Sequence, residues 1–388
     1  MKNSSFSGFI RYGQALVTAN GIAPFLCAMA CCFFGWAVSV ACVADEPIVR
    51  ADWIYDEAPF PECHASTLEE TADGLIVAFF GGTYEKHPDV GIWVVRQQGK
   101  AWTRPVEVAN GLQADGKRFP CWNPVLFSTR DKNTRQKDGS GKDPDEKGKA
   151  SESSLWLFYK VGPSPDTWWG MVTKSDDGGK SWGKPERLPD GILGPIKNKP
   201  VLLGDDRLLC GSSTEHDGWK VHMEWLALSS NRWEKTPALA MGAARGAIQP
   251  TILQYGQGSD TRLQILCRSR GDGKILGSWS NDMGRTWTDL AAIQLPNPNS
   301  GIDGVTLRNG KQLLVYNHTP SGRSPLNVAW STDGSAWHAG AILEHERGEY
   351  SYPAVIQTAD GRVHITYTWK RQRVRHVELD PRSEEHTS

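Results

Sequence analysis

The fold of this chain is indicated by an eight-residue stretch, SNDMGRTW at residues 280–287, which recurs as SDDGGKSW at residues 175–182. A copy shortened by one residue, STDGSAW, occupies residues 331–337, and degenerate copies end at Trp102 and Trp233. The five closing tryptophans are separated by 80, 51, 54 and 50 residues, a spacing typical of β-propeller blades. Asp and Ser bond nearby backbone N–H groups, and Gly permits the turn. We interpret the motif as a folding element.

A second repeat runs out of phase with the first and consists of a polar residue, usually Pro, and a short apolar run. Its six copies, spaced 59, 76, 50, 54 and 49 residues apart, begin at His64, Asn123, Lys199, Gln249, Asp303 and Tyr352. Pro lacks an amide donor and suits the first residue of a strand, and the apolar run suits a buried inner strand. The repeat predicts an all-β fold, a six-bladed β-propeller of four-stranded antiparallel blades over residues 45–380.

The first residues of these six copies predict a functional ring at one mouth of the central channel. A packing repeat would prefer one residue type at an equivalent position, whereas these six residues are all different. Ligands favour the mouths of closed β folds. The alternative interpretation is that the six side chains only cap neighbouring blades.

The composition supports a β-rich chain and excludes some classes of partner. The 388 residues include 40 Gly, 23 Pro and 17 Trp, which favours short strands and tight turns. The net charge of −1 shows no basic excess, so we expect no nucleic-acid partner. Residues 130–154 are polar and charged, which predicts a disordered surface insertion, and residues 381–388 are predicted to be a disordered tail.

The N-terminal residues 1–44 predict export of the chain from the cytoplasm. An apolar run spans residues 21–44 and ends in small residues before Asp45, as at a signal-peptide cleavage site. The run is also long enough to cross a bilayer, so an uncleaved membrane anchor is the alternative. Lipid attachment at Cys42 is a third possibility. We expect a periplasmic, secreted or cell-surface protein that contacts a membrane only through this segment if it is retained.

No cofactor or metal is predicted from the sequence. It contains no P-loop, dinucleotide fingerprint or HExxH motif, and its His and Asp residues lack metal-ligand spacing. Four cysteines follow the leader, with no CxxC pair: Cys63, Cys121, Cys210 and Cys267. Their even number in an exported chain permits disulfides, and buried free thiols are the alternative.

The eight-residue motif resembles the Asp-box of the sialidases, also called the bacterial neuraminidase repeat. Two full copies and one near copy make the resemblance specific for the fold, but Asp-box propellers also include proteins that are not sialidases. The resemblance implies a tyrosine nucleophile and arginines that bind a carboxylate. NHTPSGR at residues 317–323 resembles the segment of one such arginine, which implies that Asn317 and Arg323 lie at the site. LCRSR at residues 266–270 resembles another, with Arg268 favoured over Arg270.

The same resemblance implies further catalytic residues and shows two departures. EYSY at residues 349–352 resembles the tyrosine segment, with Tyr350 the closer match and Tyr352 the alternative, and Asp89 falls near the general acid. The first inner strand reads ECHA at residues 62–65 and lacks the family arginine. Gln249 stands where the family has the glutamate that partners the tyrosine, and an amide cannot accept the tyrosine proton.

The remaining residues predict a site for an acidic sugar. The guanidinium groups of Arg268 and Arg323, with Lys199, suit a carboxylate. His64 suits proton transfer near neutral pH. Trp122 suits stacking against a sugar, as do Trp168 and Trp169.

Three functions follow from these predictions. The first is an exported, monomeric, sialidase-like exo-glycosidase that releases a terminal acidic sugar from a glycan. The second is a polysaccharide lyase that cleaves a uronate-containing glycan by β-elimination. The third is a glycan-binding propeller without catalysis.

Overall fold

The computed structural model describes residues 47–129, 154–204 and 206–382. The predicted leader (1–44) lies outside these residues, as do nearly all of the predicted insertion (130–154) and most of the predicted tail (381–388). Within the described part of the chain, no helix is both long and apolar enough to span a membrane. These residues form six antiparallel sheets, which confirms the predicted six-bladed propeller.

In blades 1 to 5 the strands follow one another in chain order from the inner to the outer edge, and in blade 6 the first strand of the chain lies at the outer edge. Blade 1 contains β2 (Glu62–Thr71), β3 (Gly74–Gly82), β4 (Gly91–Gln98), β5 (Ala101–Trp102) and β6 (Val106–Ala109). Blade 2 contains β7 (Cys121–Ser128), β8 (Leu155–Val161), β9 (Trp169–Ser175) and β10 (Glu186–Arg187). Blade 3 contains β11 (Val201–Leu203), β12 (Arg207–Thr214), β13 (Lys220–Ala227) and β14 (Arg232–Lys235).

The remaining blades repeat this arrangement, and the N-terminal strand closes the ring. Blade 4 contains β15 (Ala247–Tyr255), β16 (Arg262–Ser269), β17 (Lys274–Ser280) and β18 (Ala291–Pro296), with a short 3₁₀ turn at Gly258–Asp260. Blade 5 contains β19 (Asp303–Thr306), β20 (Gln312–Tyr316), β21 (Leu326–Ser331) and β22 (His338–Glu344). Blade 6 contains β23 (Tyr350–Gln357), β24 (Val363–Trp369), β25 (Arg373–Leu379) and β1 (Ile48–Trp53). β1 pairs with β25, so both ends of the described chain hold one sheet together.

The Asp-boxes form hydrogen-bonded turns that follow the third strand of their blades. In the box of blade 2, one oxygen of Asp177 accepts hydrogen bonds from the backbone N–H groups of Lys180 and Ser181, both at 2.9 Å. Asp282 in blade 4 and Asp333 in blade 5 accept the equivalent pair of bonds. The boxes therefore hold the hairpins, as expected of a folding element.

Local bulges in the inner strands determine which side chains face the channel mouth. The register of β2, β7, β15 and β23 is interrupted where each strand begins. At each interruption one residue has a positive φ: 55° at Ala65, 37° at Asn123, 58° at Gln249 and 53° at Tyr352. A bulge inserts an extra residue and redirects its side chain. These four residues are therefore equivalent, and they belong to blades 1, 2, 4 and 6.

Packing between the blades buries the inner strands on both faces. Seven of the eight residues of β7, for example, are buried. The four cysteines of the described residues are also buried, and all are free thiols. The Cys63 thiol lies 3.0 Å from the hydroxyl of Tyr55, and burial raises the pKa of Cys63 to about 12. The disulfides that the cysteine count permits are therefore not formed.

Candidate functional site

The bulges place three members of the predicted ring at equivalent positions: Asn123, Gln249 and Tyr352. The equivalent residue of blade 1 is Ala65, so His64 lies one residue before the position that the repeat predicted. His64 still lies beside these residues, because the centroids of its imidazole and of the Tyr352 side chain are 4.1 Å apart. The sequence repeat therefore aligned Asn123, Gln249 and Tyr352 correctly, but its alignment was one residue out of register in blade 1.

Lys199 and Asp303 lie deeper in the channel than the ring prediction implied. The ammonium of Lys199 is 3.0 Å from the buried carboxylate of Glu69 in blade 1. Asp303 accepts hydrogen bonds at 3.0 Å from the hydroxyl of Thr251 and from the backbone N–H of Val355. The Asp303 contacts join neighbouring inner strands, whereas the Lys199 contact runs from blade 3 to blade 1. Both residues therefore have partners inside the channel, and Lys199 is not a free group for a substrate carboxylate.

The phenolic oxygen of Tyr352 is the centre of the candidate site. It accepts hydrogen bonds from Nη1 of Arg268 at 2.9 Å and from Nε2 of Gln249 at 3.1 Å. Both partners donate, so neither bond uses the proton of the phenol. The proton is thus left for a substrate, a water or another acceptor at the mouth.

His64 is a buried, neutral base beside this tyrosine. Its Nδ1 lies 2.9 Å from the hydroxyl of Thr368, and its Nε2 is buried without a hydrogen-bond partner among the described residues. Burial and nearby cations, led by Arg371 and Arg323, hold the pKa of His64 well below its usual value. An imidazole with a lowered pKa stays uncharged near neutral pH, and Nε2 of His64 accepts a proton in the tautomer whose Nδ1–H donates to Thr368.

Lys197 is a buried cation of the site that the sequence analysis missed. Its ammonium donates to Oδ1 of Asn198 at 2.8 Å and to the carbonyl oxygen of Ile302 at 2.9 Å, and it also contacts the carbonyl of Pro353. Burial lowers its pKa to about 8. It lies two residues before Lys199, and only the irregular backbone ahead of β11 brings it to the mouth.

Gly301 marks the point where Lys197, Gln249 and Tyr352 meet. A Cβ atom at Gly301 would lie 3.3 Å from each of these three side chains. Only glycine leaves this space open without displacing a neighbour. The close approach shows that side chains from blades 3, 4 and 6 converge beside blade 5.

Arg323 adds a second guanidinium to the mouth. Its Nη2 donates to the carbonyl oxygen of Asn299 at 3.3 Å, while Arg268 Nε donates to the side chain of the same asparagine at 2.7 Å. Nη1 of Arg323 is buried with no hydrogen-bond partner in the described chain. Burial and the field of Arg268 lower the pKa of Arg323. Two adjacent guanidinium groups, one with an unused donor, suit a bound anion.

Arg371 supplies a further cation that the sequence analysis did not identify. Its Nε donates to Glu349 at 2.7 Å, and its Nη1 pairs with Glu85 of blade 1. It lies in the β24–β25 turn with a φ of 62° and contributes positive charge at His64. Nothing in its sequence context distinguishes it from a surface arginine, since its neighbours in space come from distant strands.

The structure places Tyr350 away from the ring. Only 1% of Tyr350 is exposed, and it packs in the apolar core formed by blades 5 and 6. Tyr352, the alternative tyrosine, lies at the mouth instead. In a regular strand, residues two apart face the same side. The bulge at Tyr352 redirects its side chain, so that it faces away from that of Tyr350.

Asp89 lies on an exposed loop of blade 1 and is held by its own neighbours. Its carboxylate accepts hydrogen bonds from the backbone N–H of Thr83 at 3.0 Å and from the Thr83 hydroxyl, and pairs with His87 at 2.7 Å. Burial alone would raise the pKa of Asp89, but these bonds lower it overall. A general acid must carry a proton, so its present surroundings oppose the role that the resemblance implied.

The remaining predicted residues support the site from beneath or beside it. The amide of Asn317 donates to the carbonyl oxygen of Arg323 at 2.9 Å and so orients that residue. The indole of Trp122 donates to Gly162 at 2.8 Å, and because Trp122 is only 2% exposed it offers no face for a sugar. Arg270 lies over Trp219, 5.9 Å from the ring centroid. Among the described residues, no group of three His, Cys, Asp or Glu side chains could hold a metal ion.

The fold and the site together define a six-bladed Asp-box propeller with a cationic, tyrosine-containing mouth. Residues 73–365 match the model of the BNR repeat-like domain, so the chain belongs to that family. No curated protein sequence matches the chain.

Solved structures share the fold at low sequence identity. A protein of unknown function from Dyadobacter fermentans is 16% identical, with a TM-score of 0.65 over 86% of this chain and 98% of its own. The Hadza microbial sialidase Hz136 is 17% identical, with a TM-score of 0.65 over 83% of this chain and 66% of its own. The intramolecular trans-sialidase from Ruminococcus gnavus is 12% identical, with a TM-score of 0.62 over 86% of this chain and 97% of its own. These similarities support the sialidase-like fold and leave activity to be argued from the site.

Proposed function

We propose that this chain is an exported carbohydrate-active enzyme that acts on a glycan with a terminal acidic sugar. The observation that carries the proposal is the pair of guanidinium groups at Arg268 and Arg323, which share Asn299 and flank Tyr352. Buried Nη1 of Arg323 has no partner in the described chain, so a sugar carboxylate would satisfy it. The chain would act as a monomer without a cofactor.

In the glycosidase form of this proposal, the Tyr352 oxygen attacks the anomeric carbon of the acidic sugar while its phenolic proton passes to His64 and the bond to the leaving-group oxygen breaks. Water then hydrolyses the sugar–tyrosine bond and restores the phenol. A tyrosine nucleophile is an accepted exception to the two-carboxylate rule of glycosidases. The cations around Tyr352 would stabilise negative charge on the attacking oxygen and on the sugar carboxylate. A proton must then reach the leaving-group oxygen. Asp89 on the blade 1 loop is the candidate donor if substrate binding changes its surroundings.

A β-elimination is the second candidate, and the neutral state of His64 favours it. The Tyr352 phenol contacts the amide of Gln249, and an amide cannot take the phenolic proton. In the tautomer whose Nδ1–H donates to Thr368, the unpartnered Nε2 of His64 is an acceptor beside Tyr352 that could remove the proton next to a uronate carboxylate. The arginines would hold the carboxylate as negative charge develops, and Tyr352 would protonate the leaving oxygen.

A screen of the purified protein on sialosides and on uronate-containing glycans tests the proposal. A glycosidase releases reducing sugar without new ultraviolet absorbance, whereas a lyase forms an unsaturated uronate that absorbs in the ultraviolet. Binding of these glycans without turnover would assign the chain to the glycan-binding class instead. Absence of both binding and turnover on every acidic glycan would overturn the proposal.

A further inference from the structure

The turn between β24 and β25 has a backbone that is unfavourable for the residues it carries. The N–H of Gln372 bonds the carbonyl oxygen of Trp369 at 3.0 Å, and both residues between them have a positive φ, 51° at Lys370 and 62° at Arg371. Turns of this kind favour Asn and Gly, because a Cβ atom makes the left-handed conformation unfavourable. Such strain persists only where the surrounding structure stabilises it, and it is concentrated at functional sites. Glycine would relieve the strain at both positions, so we expect one of the two side chains to have a role.

The two side chains of this turn have very different surroundings. Lys370 is exposed and lies over the ring of Trp369, 4.3 Å from its centroid. Arg371 is half-buried between two carboxylates: its Nε donates to Glu349 at 2.7 Å, and its Nη1 pairs with Glu85. Burial alone would lower the pKa of Arg371, but the two carboxylates raise it overall. Arg371 is therefore the side chain of this turn that is built into the structure.

The ion pairs of Arg371 join two segments that belong to different blades. Glu85 lies in the loop between β3 and β4 of blade 1, and this loop also carries Asp89. Glu349 directly precedes β23, the strand that places Tyr352 at the mouth. One guanidinium thus connects the loop of the candidate proton donor to the segment that leads into the candidate nucleophile.

Backbone hydrogen bonds attach the turn to the same two blades. The N–H of Cys63, next to His64 in β2 of blade 1, bonds the carbonyl oxygen of Arg371 at 2.7 Å. The N–H of Lys370 bonds the carbonyl oxygen of Glu349 in blade 6, also at 2.7 Å. The main chain therefore fixes the position from which the guanidinium reaches both carboxylates.

The charge of Arg371 also acts on His64. Burial is the main cause of the low pKa of His64, and nearby cations lower it further. In order of decreasing effect these cations are Arg371, Arg323, Arg268 and Lys197. The described contacts of the imidazole are with Thr368 of β24, Phe80 of β3 and Tyr352 of β23. No carboxylate is among these contacts, so the positive charge of Arg371 disfavours an imidazolium at this position.

We propose that Arg371 is a positioning residue of the candidate site, which holds the loop of Asp89 at a fixed distance from the segment that leads into Tyr352. The inference rests on the proposed function, because the two segments act together only in a reaction that uses both. The same guanidinium keeps His64 uncharged over a wider range of pH. These two effects account for an arginine at a position where glycine would suit the backbone better.

Glycine variants of the turn separate the side chain of Arg371 from the backbone strain. Arg371→Gly removes the guanidinium and relieves the strain, so this variant should fold. Lys370→Gly is the matched control, since it relieves the same kind of strain and keeps the guanidinium. Glu85→Ala releases the loop but leaves the positive charge beside His64. Melting temperatures would confirm that each variant is folded.

Two measurements would be compared among the variants. The first is turnover of sialyllactose and of a glucuronate-containing tetrasaccharide as a function of pH. The second is an NMR titration of the histidine imidazoles, in which the signal of His64 is assigned by its loss in His64→Gln. The titration needs no substrate, so it reports on His64 whether or not the protein turns over either glycan.

The expected result is a loss of turnover in two variants and a changed titration in one. We expect kcat to fall about tenfold or more in Arg371→Gly and in Glu85→Ala, because the loop of Asp89 loses its fixed position. His64 should take up a proton at higher pH in Arg371→Gly alone, since a neighbouring positive charge is removed. The acid limb of the pH profile of kcat/KM should move to higher pH in the same variant.

Failure of the inference differs from failure of the proposed function. If wild type is active and Arg371→Gly has the same kcat as Lys370→Gly, the positioning role is overturned and the proposed function stands. If wild type neither binds nor turns over any sialoside or uronate-containing glycan, the proposed function fails, and the positioning role fails with it. The effect of Arg371 on His64 is overturned separately if the imidazole titrates identically in Arg371→Gly and Lys370→Gly.

Discussion

Nη1 of Arg268 lies 2.9 Å from the phenolic oxygen of Tyr352, although 84 residues separate them in the chain. Arg268 is the penultimate residue of β16 in blade 4, and Tyr352 is the third residue of β23, the inner strand of blade 6. The contact joins blade 4 to blade 6 past the intervening blade 5, so it depends on how these three blades pack. It joins the residue best suited to bind a carboxylate to the residue best suited to react with the bound sugar.

Tyr352→Phe is predicted to reduce kcat by about 100-fold or more, because it removes the oxygen that takes part in the proton transfer or attack. Tyr350→Phe is the matched control, since Tyr350 packs in the core of blades 5 and 6. We expect that control to keep most of the activity. The reverse ranking of the two variants in turnover assays would contradict the placement of the site at Tyr352.

Arg323→Lys is predicted to raise KM for an acidic glycan by about ten- to 100-fold, because a lysine cannot hold a carboxylate with two parallel bonds. A neutral analogue, with the carboxylate converted to an amide, should bind wild type and variant equally. Initial-rate kinetics on both substrates would measure the difference. A similar loss on the amide would show that Arg323 supports the loop and does not bind the carboxylate.

Stability is predicted to fall as the pH drops below about 6.5. Burial keeps His64 neutral in the folded state and lowers the pKa of His364 to about 4. The unfolded chain then binds protons that the folded chain does not. Each such group lowers the free energy of unfolding by up to about 1.4 kcal/mol for each pH unit of acidification. The free energy of unfolding continues to fall with pH until the pH reaches the pKa that each histidine has in the folded protein. Melting temperatures between pH 7 and pH 5 would measure it.

His64→Gln should flatten part of that pH dependence and also reduce turnover at pH 7. The glutamine keeps a polar side chain beside Thr368 but cannot take a proton. His338→Ala, at an exposed position, should leave the slope unchanged. An identical slope in wild type and His64→Gln would mean that His64 does not stay neutral in the folded protein.

Asp177→Ala is predicted to lower the free energy of unfolding by about 1 kcal/mol, because two backbone N–H groups of the Asp-box lose their acceptor. The adjacent Asp176→Ala is a close control, since Asp176 takes part in none of the hydrogen bonds that hold this turn. Chemical denaturation would compare the two. Turnover should be unaffected in both, since the box lies at the opposite ends of the strands from the mouth. Equal stability of the two variants would count against the folding role of the motif.

The sequence alone determined the architecture, because both repeats are local patterns. An Asp-box requires only that Asp, Gly and Trp occur at a fixed spacing, and its hydrogen bonds close within one turn. The Pro-led apolar runs likewise need only the chain around them, and together they give the number of blades. Gln249 and Tyr352 could also be selected because they lead two of these runs, whereas Arg268 and Arg323 were selected by the resemblance of their segments to those of the sialidases.

The tertiary structure alone decided which side chains meet. A bulge at Tyr352 separates it from Tyr350, and a bulge at Ala65 shifts the register of His64. A bulge cannot be recognised from residue spacing. One extra residue moves the side chains that follow it to the opposite face of the strand, while the types of residue in the strand stay typical of a strand. Lys197 and Arg371 lie in irregular backbone near the mouth. Their place in the site is evident only from their contacts with residues of other blades. Closure of the ring sets these contacts, and it depends on packing among all six sheets, which no short stretch of sequence encodes.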